Sequence, residues 1–360
     1  PLLDFSGSKS RGQLLNSKFF EGSTLEELNE FVPKKLTLRM ALSKTSSIFD
    51  PRGIIAPFFL LTKMAFQDSI QSLGGFGDEI LDESTKKVNK KHVLTAKMWD
   101  LALPEKQRAE WVRLFFMAEQ IREFRFPRFP IPADVRTDEC YLFGFGDAAM
   151  PGSQECVYLA FTNDKNCFHL VSLMTKNQVH STKVAVKIPY KEMTALAVTS
   201  ALLQKCYLAL PNVKGMKLFG DSEISLHWVK DNGPDINNFI RGRCQIVRNY
   251  VELDSIYHIR TNHNCSDTGT RRIKSVSEIS PTSSFYLGPD CLKDFQKSID
   301  DGIITPISDF NRDFSNNQHE IDARINKTEF TEEHIVSAVT LLGGNSESVQ
   351  GEMHKIELTD

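Results

Sequence analysis

Four carboxylates stand where the chain changes from strand to turn or from turn to helix: Asp147, Glu192, Asp221 and Asp267. Asp147 ends the strand-like part of Y-L-F-G-F-G-D-A-A-M at residues 141–150, a stretch that carries no other charge. Two small residues, Ala148 and Ala149, follow it and leave the carboxylate open rather than packed beneath large side chains. Glu192 falls in the first turn of a long helical pattern, Asp221 closes a strand-like run, and Asp267 follows another in T-N-H-N-C-S-D-T-G-T-R. Acids at neighbouring strand ends and at a helix start can converge on one edge of a sheet. Carboxylates brought that close repel strongly unless a cation lies between them. Oxygen-only ligands favour Mg²⁺ or Mn²⁺ over zinc. Two such ions about 3.5–4 Å apart are the usual arrangement for phosphodiester cleavage, one activating the attacking water and one steadying the leaving oxygen. The chain has 46 acidic residues, several of which end strands by chance, so this reading stands only if the four meet in space.

The elements that would position them occupy residues 138–272. Three strand-like runs, 141–147, 156–162 and 167–174, are joined by short connections containing Pro151, Gly152, Asn163 and Asp164, which predicts a meander. Pro189 opens a helix over 190–209. A strand at 215–220 then runs into Asp221, followed by a helix at 222–230, a break at Gly233-Pro234, a helix at 237–251 and a strand at 255–261. The order β-β-β-α-β-α-α-β predicts an α/β protein with a five-stranded mixed sheet flanked by helices. Helix 237–251 carries Arg241, Arg243 and Arg248. Arg241 and Arg248, seven apart, can share a face open to phosphates, or simply form a solvated face.

Upstream, residues 1–33 read as a flexible segment containing one short helix, with Thr24 as N-cap and Glu27 completing a capping box. Residues 34–136 read as a mainly helical module. It includes a polar helical stretch at 43–50, a turn-rich connector at 51–57 and an amphipathic helix at 55–73 interrupted early by Pro57. Lys86, Lys87, Lys90 and Lys91 form a basic cluster that either meets phosphates or is a solvated face. In 99–122, Trp111, Leu114, Phe115, Ala118 and Ile121 share one helical face. The Pro-rich stretch 126–132 separates this module from a domain at 137–275. Residues 276–360 form an extension in which 284–303 are expected to dock on the preceding domain. Beyond Pro306 the composition predicts mostly flexible chain, with a helix at 331–342.

Composition narrows the class. A chain of 360 residues, 41% hydrophobic and 25% charged, has the size for two domains and the make-up of a soluble globular protein. A net charge of −3 excludes a global basic field, so any nucleic-acid surface must be local. Seven scattered cysteines without C-x-x-C spacing read as reduced thiols, not a disulfide framework or a zinc site. The longest apolar run, 54–66, is broken by Pro57, Thr62 and Lys63, so no membrane span is expected. No signal peptide is evident. The sequon Asn326-Lys327-Thr328 then reads as a chance match. The first residue is Pro1 rather than Met, which suggests a piece of something longer.

The blocks G-F-G-D-A-A, I-P-Y-K-E-M, L-F-G-D-S and H-I-R-T-N-H-N-C-S-D-T-G-T-R together resemble the ribonuclease H region of Pao/BEL-type retrotransposon polyproteins. In that family they read close to F-S-D-A-S, I-P-R-L-E-L, W-S-D-S and H-V-P-x-K-x-N-P-A-D-x-A-S-R. Residues 176–179 are similar to the family's K-S-R-V. Upstream, S-K-T-S-S-I-F-D-P-R-G-I-I-A-P at 43–57 closely resembles the family's S-x-x-S-x-x-F-D-P-L-G-L-L-S-P, the block that follows the reverse-transcriptase palm. Trp99-Asp100 with Leu103-Pro104 and Trp111, and F-Y-L-G-P-D-C-L at 285–292, match later blocks, so the resemblance covers roughly 34–295.

The resemblance implies a ribonuclease H-like fold and hydrolysis of the RNA strand of an RNA–DNA hybrid. It places the family's four metal-binding acids on Asp147, Glu192, Asp221 and Asp267, holding two Mg²⁺ or Mn²⁺ ions. His258 and Asn264 match the family's His and Asn in the last block, and His263 stands in the loop before Asp267, where an imidazole can shuttle a proton near neutral pH. Residues 34–136 become a connection or thumb-like module following an absent palm, so DNA synthesis is not expected of this chain. The implied partners are the hybrid and the reverse-transcriptase palm and integrase parts of one polyprotein engaged in DNA integration. No membrane is implied, and the implied location is the cytoplasm, within a virus-like particle, or the nucleus. Gly146, Ala149 and Gly220 stand where the family has serine, and Tyr190-Lys191 where it has Arg-Leu. Two alternatives stay open. One is a non-catalytic nucleic-acid-binding remnant. The other is an aspartic peptidase using Asp267-Thr268-Gly269, although that chemistry needs two such aspartates on apolar strands and a second triplet is missing.

Overall fold

A computed structural model of the chain describes residues 24–73, 80–81, 88–89, 98–127, 140–162, 167–180, 186–231 and 236–310. Its first part is helical. Thr24 caps α1 (Leu25–Phe31), and the reciprocal bond from Glu27 completes the expected capping box. Thr37 caps α2 (Leu38–Ser46), its side chain accepting from the Met40 amide at 3.3 Å. Helix α3 (Ala56–Ser72) begins at the predicted place. Pro57 lies in its first turn, where the missing N–H costs no hydrogen bond, so the helix runs on without a break. A two-stranded ladder pairs β1 (Ile80–Leu81) with β2 (Val88–Asn89). In α4 (Glu105–Arg122) the predicted face of Trp111, Leu114, Phe115, Ala118 and Ile121 is buried, and the Trp111 indole donates to Ser69 Oγ of α3 at 3.0 Å.

The sheet follows. β3 (Cys140–Ala148), β4 (Gly152–Thr162) and β5 (Phe168–Val179) form the antiparallel meander. α5 (Ile188–Ala209) crosses to β6 (Val213–Gly220), which lies parallel to β3. α6 (Glu223–Asp231) and α7 (Asn238–Tyr250) then lead to β7 (Ile256–Ile259), parallel to β6. The short α8 (Asp267–Thr270), α9 (Ser284–Leu287) and α10 (Phe295–Asp300) precede β8 (Ile304–Pro306), antiparallel to β7. The order across the sheet is β5-β4-β3-β6-β7-β8. The mixed α/β architecture is the expected one, but the sheet has six strands where five are predicted. β8 is three residues ending in a proline, too short to show an alternating pattern.

Alternation along β3 separates two faces. Gly144 and Gly146 meet Leu203, Thr199 and Ala195 of α5. Phe143 and Phe145 face the other way, into an aromatic layer with Phe219 and Tyr257 that Phe295 of α10 covers; the Phe145 and Phe219 rings stack at 4.8 Å. Residues 284–303 are thus part of the core packing, and the Tyr158 hydroxyl donates to the Phe285 carbonyl at 2.5 Å.

The F-D-P-R-G block has a physical reason. Asp50 accepts from the Ile54 and Ile55 amides, both at 2.9 Å, and so caps the approach to α3. Arg52 donates to the Ser172 and Leu173 carbonyls of β5, and the Thr175 amide donates back to the Arg52 carbonyl at 2.8 Å. This covers the edge of the sheet, which would otherwise be free to pair. Gly53 has φ +71°, and a Cβ there would fall on the Thr175 carbonyl. Gly53→Ala is therefore expected to cost more than about 2 kcal/mol in denaturant unfolding, from strain and steric overlap together. An unchanged midpoint would refute this docking role.

All seven cysteines are free, in keeping with reduced thiols. Among the described residues no helix is long and apolar enough to cross a membrane.

Candidate active site

The site is built at the C-terminal ends of β3 and β6. Gly146 and Gly220 are in register on these parallel strands, so Asp147 and Asp221 leave adjacent strand ends about 4.8 Å apart along the ladder. α5 lies across the same strands. Its residue Leu203 packs on Gly144, Thr199 and Ala195 on Gly146, and Leu196 on Gly220. The helix therefore runs opposite to β3, and its N-terminal end lies over the strand ends; α5 starts at Ile188, so Glu192 stands just past the first turn rather than in it. The fourth acid, Asp267, opens α8. Asn264 fixes that segment: it is buried, and its amide donates to Asp221 Oδ1 at 3.1 Å and to the Gly146 carbonyl at 3.3 Å. Ser266 adds a bond to the Phe145 carbonyl at 2.8 Å.

The charge of Asp221 is felt by each of the other three acids. Burial, and then the charge of Asp221, raises the Asp147 carboxyl to about 6, against a hydrogen bond from Thr270 Oγ1 and with a further push from Asp267. Burial raises Glu192 to about 7; the Ser222 hydroxyl, donating at 2.6 Å, opposes this, while Asp221 and Asp147 add to it. Asp267 is also raised by burial, although Arg271 pairs with it at 2.5 Å. A set of oxygen ligands in which Asp147, Glu192 and Asp267 are penalised as anions suits a hard divalent cation in its chemistry. Its side chains are not drawn together: among the described residues no three His, Cys, Asp or Glu already surround a common point. Thr270, Ser222 and Arg271 instead hold three of the acids separately.

The remaining candidates lie elsewhere. His263 sits in a single 3-10 turn at 261–263 rather than in an open loop, and is half-buried. No hydrogen bond among the described residues joins its ring to the four acids. His258 lies in β7 opposite Gly220, with its ring against Phe310. Arg243 stacks on Phe239 and donates to Thr194 Oγ1 at 2.8 Å; burial lowers it to about 10. Arg248 donates to the Val229 and Lys230 carbonyls at the end of α6, and Arg241 to the Ile236 carbonyl. The Arg243 and Arg248 groups tie α7 to α5 and α6, and Arg241 bonds locally at the start of α7. Lys86, Lys87, Lys90 and Lys91 lie outside the described residues. Thr270, Arg271 and Ser222 are contacts the sequence reading missed. Only the Asp267–Arg271 spacing of four, which lets side chains meet along one helix turn, offered a signal.

Gly146, Gly220, Tyr190 and Lys191, four of the departures from the family blocks, are packing fits; nothing in the structure explains Ala149. A Cβ on Gly146 would lie 2.6 Å from Thr199 Oγ1 and 3.1 Å from the Ala195 carbonyl, and one on Gly220 would lie 2.7 Å from Leu196 Cδ2. Lys191, at one of the changed positions, is buried and donates to the Met150 carbonyl at 2.9 Å, tying α5 to the turn after Asp147. Tyr190, at the other, packs on Trp228 and Phe239. Gly146→Ser should cost about 1–3 kcal/mol in urea unfolding through overpacking against α5. A stability equal to the parent's would show that α5 has room to give.

No curated protein matches the chain by sequence. Among solved structures, RNase H1 from the halophilic archaeon Halobacterium salinarum NRC-1 is 10% identical, with 38% of this chain and 99% of that one covered and a TM-score of 0.26. The N-terminal RNase H domain of rv2228c from Mycobacterium tuberculosis, solved as a fusion with maltose-binding protein, is 8% identical, covering 37% of this chain and 94% of that one at a TM-score of 0.25. The family model described as the Pao retrotransposon-like RNaseH-like domain matches residues 37–222, a span that holds the F-D-P-R-G block, Asp147, Glu192 and Asp221. This chain belongs to the Pao retrotransposon-like RNaseH-like family.

Proposed function

We propose that the chain is a metal-dependent ribonuclease that hydrolyses the RNA strand of an RNA–DNA hybrid. What supports this reading is electrostatic proximity: burial together with the charge of neighbouring acids raises Asp147 to about 6 and Glu192 to about 7, and Asp221 presses on Asp147, Glu192 and Asp267 alike. These four would hold Mg²⁺ or Mn²⁺. Two such ions would supply the positive charge that activates an attacking water and steadies the leaving oxygen. The protein's own groups position the acids. Asn264 orients Asp221 and locks the segment carrying Asp267 to β3. Thr270 orients Asp147, and Ser222 orients Glu192. In this reading the chain works beside the palm and integrase parts of a retrotransposon polyprotein, within a particle in the cytoplasm or in the nucleus.

A second reading, a non-catalytic nucleic-acid-binding remnant, is favoured by one feature: Asp267 is already paired with Arg271. The peptidase reading finds no such support, because Asp267-Thr268-Gly269 opens a helix rather than following an apolar strand. A labelled hybrid incubated with the full chain, with and without Mg²⁺, decides between the first two. Cleavage of the RNA strand that needs the ion supports the nuclease. Binding with no cleavage at any Mg²⁺ or Mn²⁺ concentration supports the remnant.

A further inference from the structure

A cleft of about 700 Å³ opens between α3, the start of α4 and the segment just after α8. It adjoins the carboxylates, because Arg271 both lines it and pairs with Asp267. Five basic side chains line it, Lys106, Arg113, Arg271, Arg272 and Lys274, against the two acids Asp68 and Glu110. Glu110 is taken by Arg113, at 2.7 Å. Lys106, Arg272 and Lys274 are exposed, and no salt bridge holds them among the described residues. A chain with net charge −3 thus gathers a local positive excess beside its most acidic site. Pockets for small ligands are mostly apolar with a few polar groups, whereas an open cleft rimmed by unpaired cations suits a polyanion.

A second observation falls on the same wall. Arg272 has φ +63° and is the one non-glycine residue in the left-handed region among the described residues. It follows the last turn of α8, the position where helices commonly end on glycine or asparagine. An arginine held in that conformation is strained, and such strain persists where the side chain is needed.

We propose that this cleft binds the phosphodiester backbone of the hybrid as it leaves the carboxylates, with Lys106, Arg272 and Lys274 on successive phosphates. This rests on the nuclease reading for the identity of the substrate. The helical module then takes a direct part in binding, since α3 and α4 form the far wall and hold the strand in line with Asp147.

The test is binding of a fluorescent RNA–DNA hybrid to the full chain in EDTA, across a salt series, so that no cleavage intervenes. Lys106→Glu with Lys274→Glu should weaken binding by about tenfold or more and lower the salt slope by about 2, the loss expected when two phosphate contacts vanish. Arg272→Gly should weaken binding by a few-fold while leaving Tm unchanged or raised, since glycine suits the left-handed backbone. That combination separates a binding role from a structural one. Affinity and salt slope within about twofold of the parent in both variants would overturn the inference, as would a parent that binds no hybrid. If the parent binds through the cleft but never cleaves, the nuclease reading falls and the cleft stands. If the parent cleaves and the variants bind as it does, the cleft falls alone.

Discussion

Asp147→Asn is expected to abolish Mg²⁺-dependent cleavage of the hybrid, lowering the rate by at least about a thousandfold, or roughly 4 kcal/mol of barrier. Asp147 ends the central strand, is 8% exposed, and is the acid whose carboxyl feels both Asp221 and Asp267. An asparagine keeps the size and an oxygen for Thr270 but removes the charge that would hold a cation against the scissile phosphate. The same substitution should leave the metal-free protein as stable as the parent or more so, because it deletes one of several buried, mutually repelling carboxylates. Two measurements therefore answer the question together: single-turnover cleavage with Mg²⁺, and Tm in EDTA. Loss of cleavage with an intact or higher Tm supports the site. An Asp147→Asn protein that cleaves at the parental rate would sink it, and one that loses both activity and Tm would show that Asp147 supports the fold instead.

How much of this was legible before any coordinates depended on distance along the chain. The meander, the strand β6 and the long α5 follow from local alternation and from turn residues, so the sequence placed Asp147 and Asp221 at the correct strand ends, while Glu192 falls just past the helical turn expected for it. The F-D-P-R-G block could be seen as a pattern, but not explained. Its partner is β5, more than a hundred residues later, and only the fold shows Gly53 pressed against Thr175. Thr270 reaches Asp147 across 123 positions, a contact that no periodicity encodes. The glycines beside the acids stand where the family has serine. Their function is to admit α5, and that requires knowing how closely Thr199 and Leu196 approach. The arginines of α7 show the opposite error. Their spacing is right for a charged face, yet Arg248 is engaged by a carbonyl of α6, and Arg241 and Arg243 bond to the Ile236 and Phe239 carbonyls just before and within α7 itself. The cleft that gathers unpaired cations is assembled from segments near residues 64, 106 and 272, too far apart for any charge run to reveal.

Glu155 leads to the second large effect, which is on stability. It is buried in β4, opposite Gly146 of β3 and Lys176 of β5. Burial raises its carboxyl from an ordinary 4.5 to about 8, against the Ser153 hydroxyl and the charges of Lys176 and Lys63, with Asp147 pushing it further up. In the unfolded chain this carboxyl loses its proton near 4.5; in the fold it keeps the proton until about 8. Between those values the folded state binds a proton that the unfolded state does not. The associated stability is thus complete below the lower value and drains away as pH rises toward the upper one, by on the order of 4 kcal/mol. Glu155→Gln replaces the protonated acid with a neutral group of the same shape, so it removes this share of the fall and leaves the share carried by Asp147 and Glu192, which burial also raises. Urea unfolding of both proteins at pH 5 and pH 8 should show them close together at the lower pH and the variant clearly more stable at the higher. Parallel pH profiles would mean that the carboxyl is ionised in the fold and held by Lys176 and Lys63. Because Glu155 is not one of the four acids, the variant should still cleave the hybrid, and its stability at pH 8 separates the electrostatic load of the sheet from the chemistry at the end of β3.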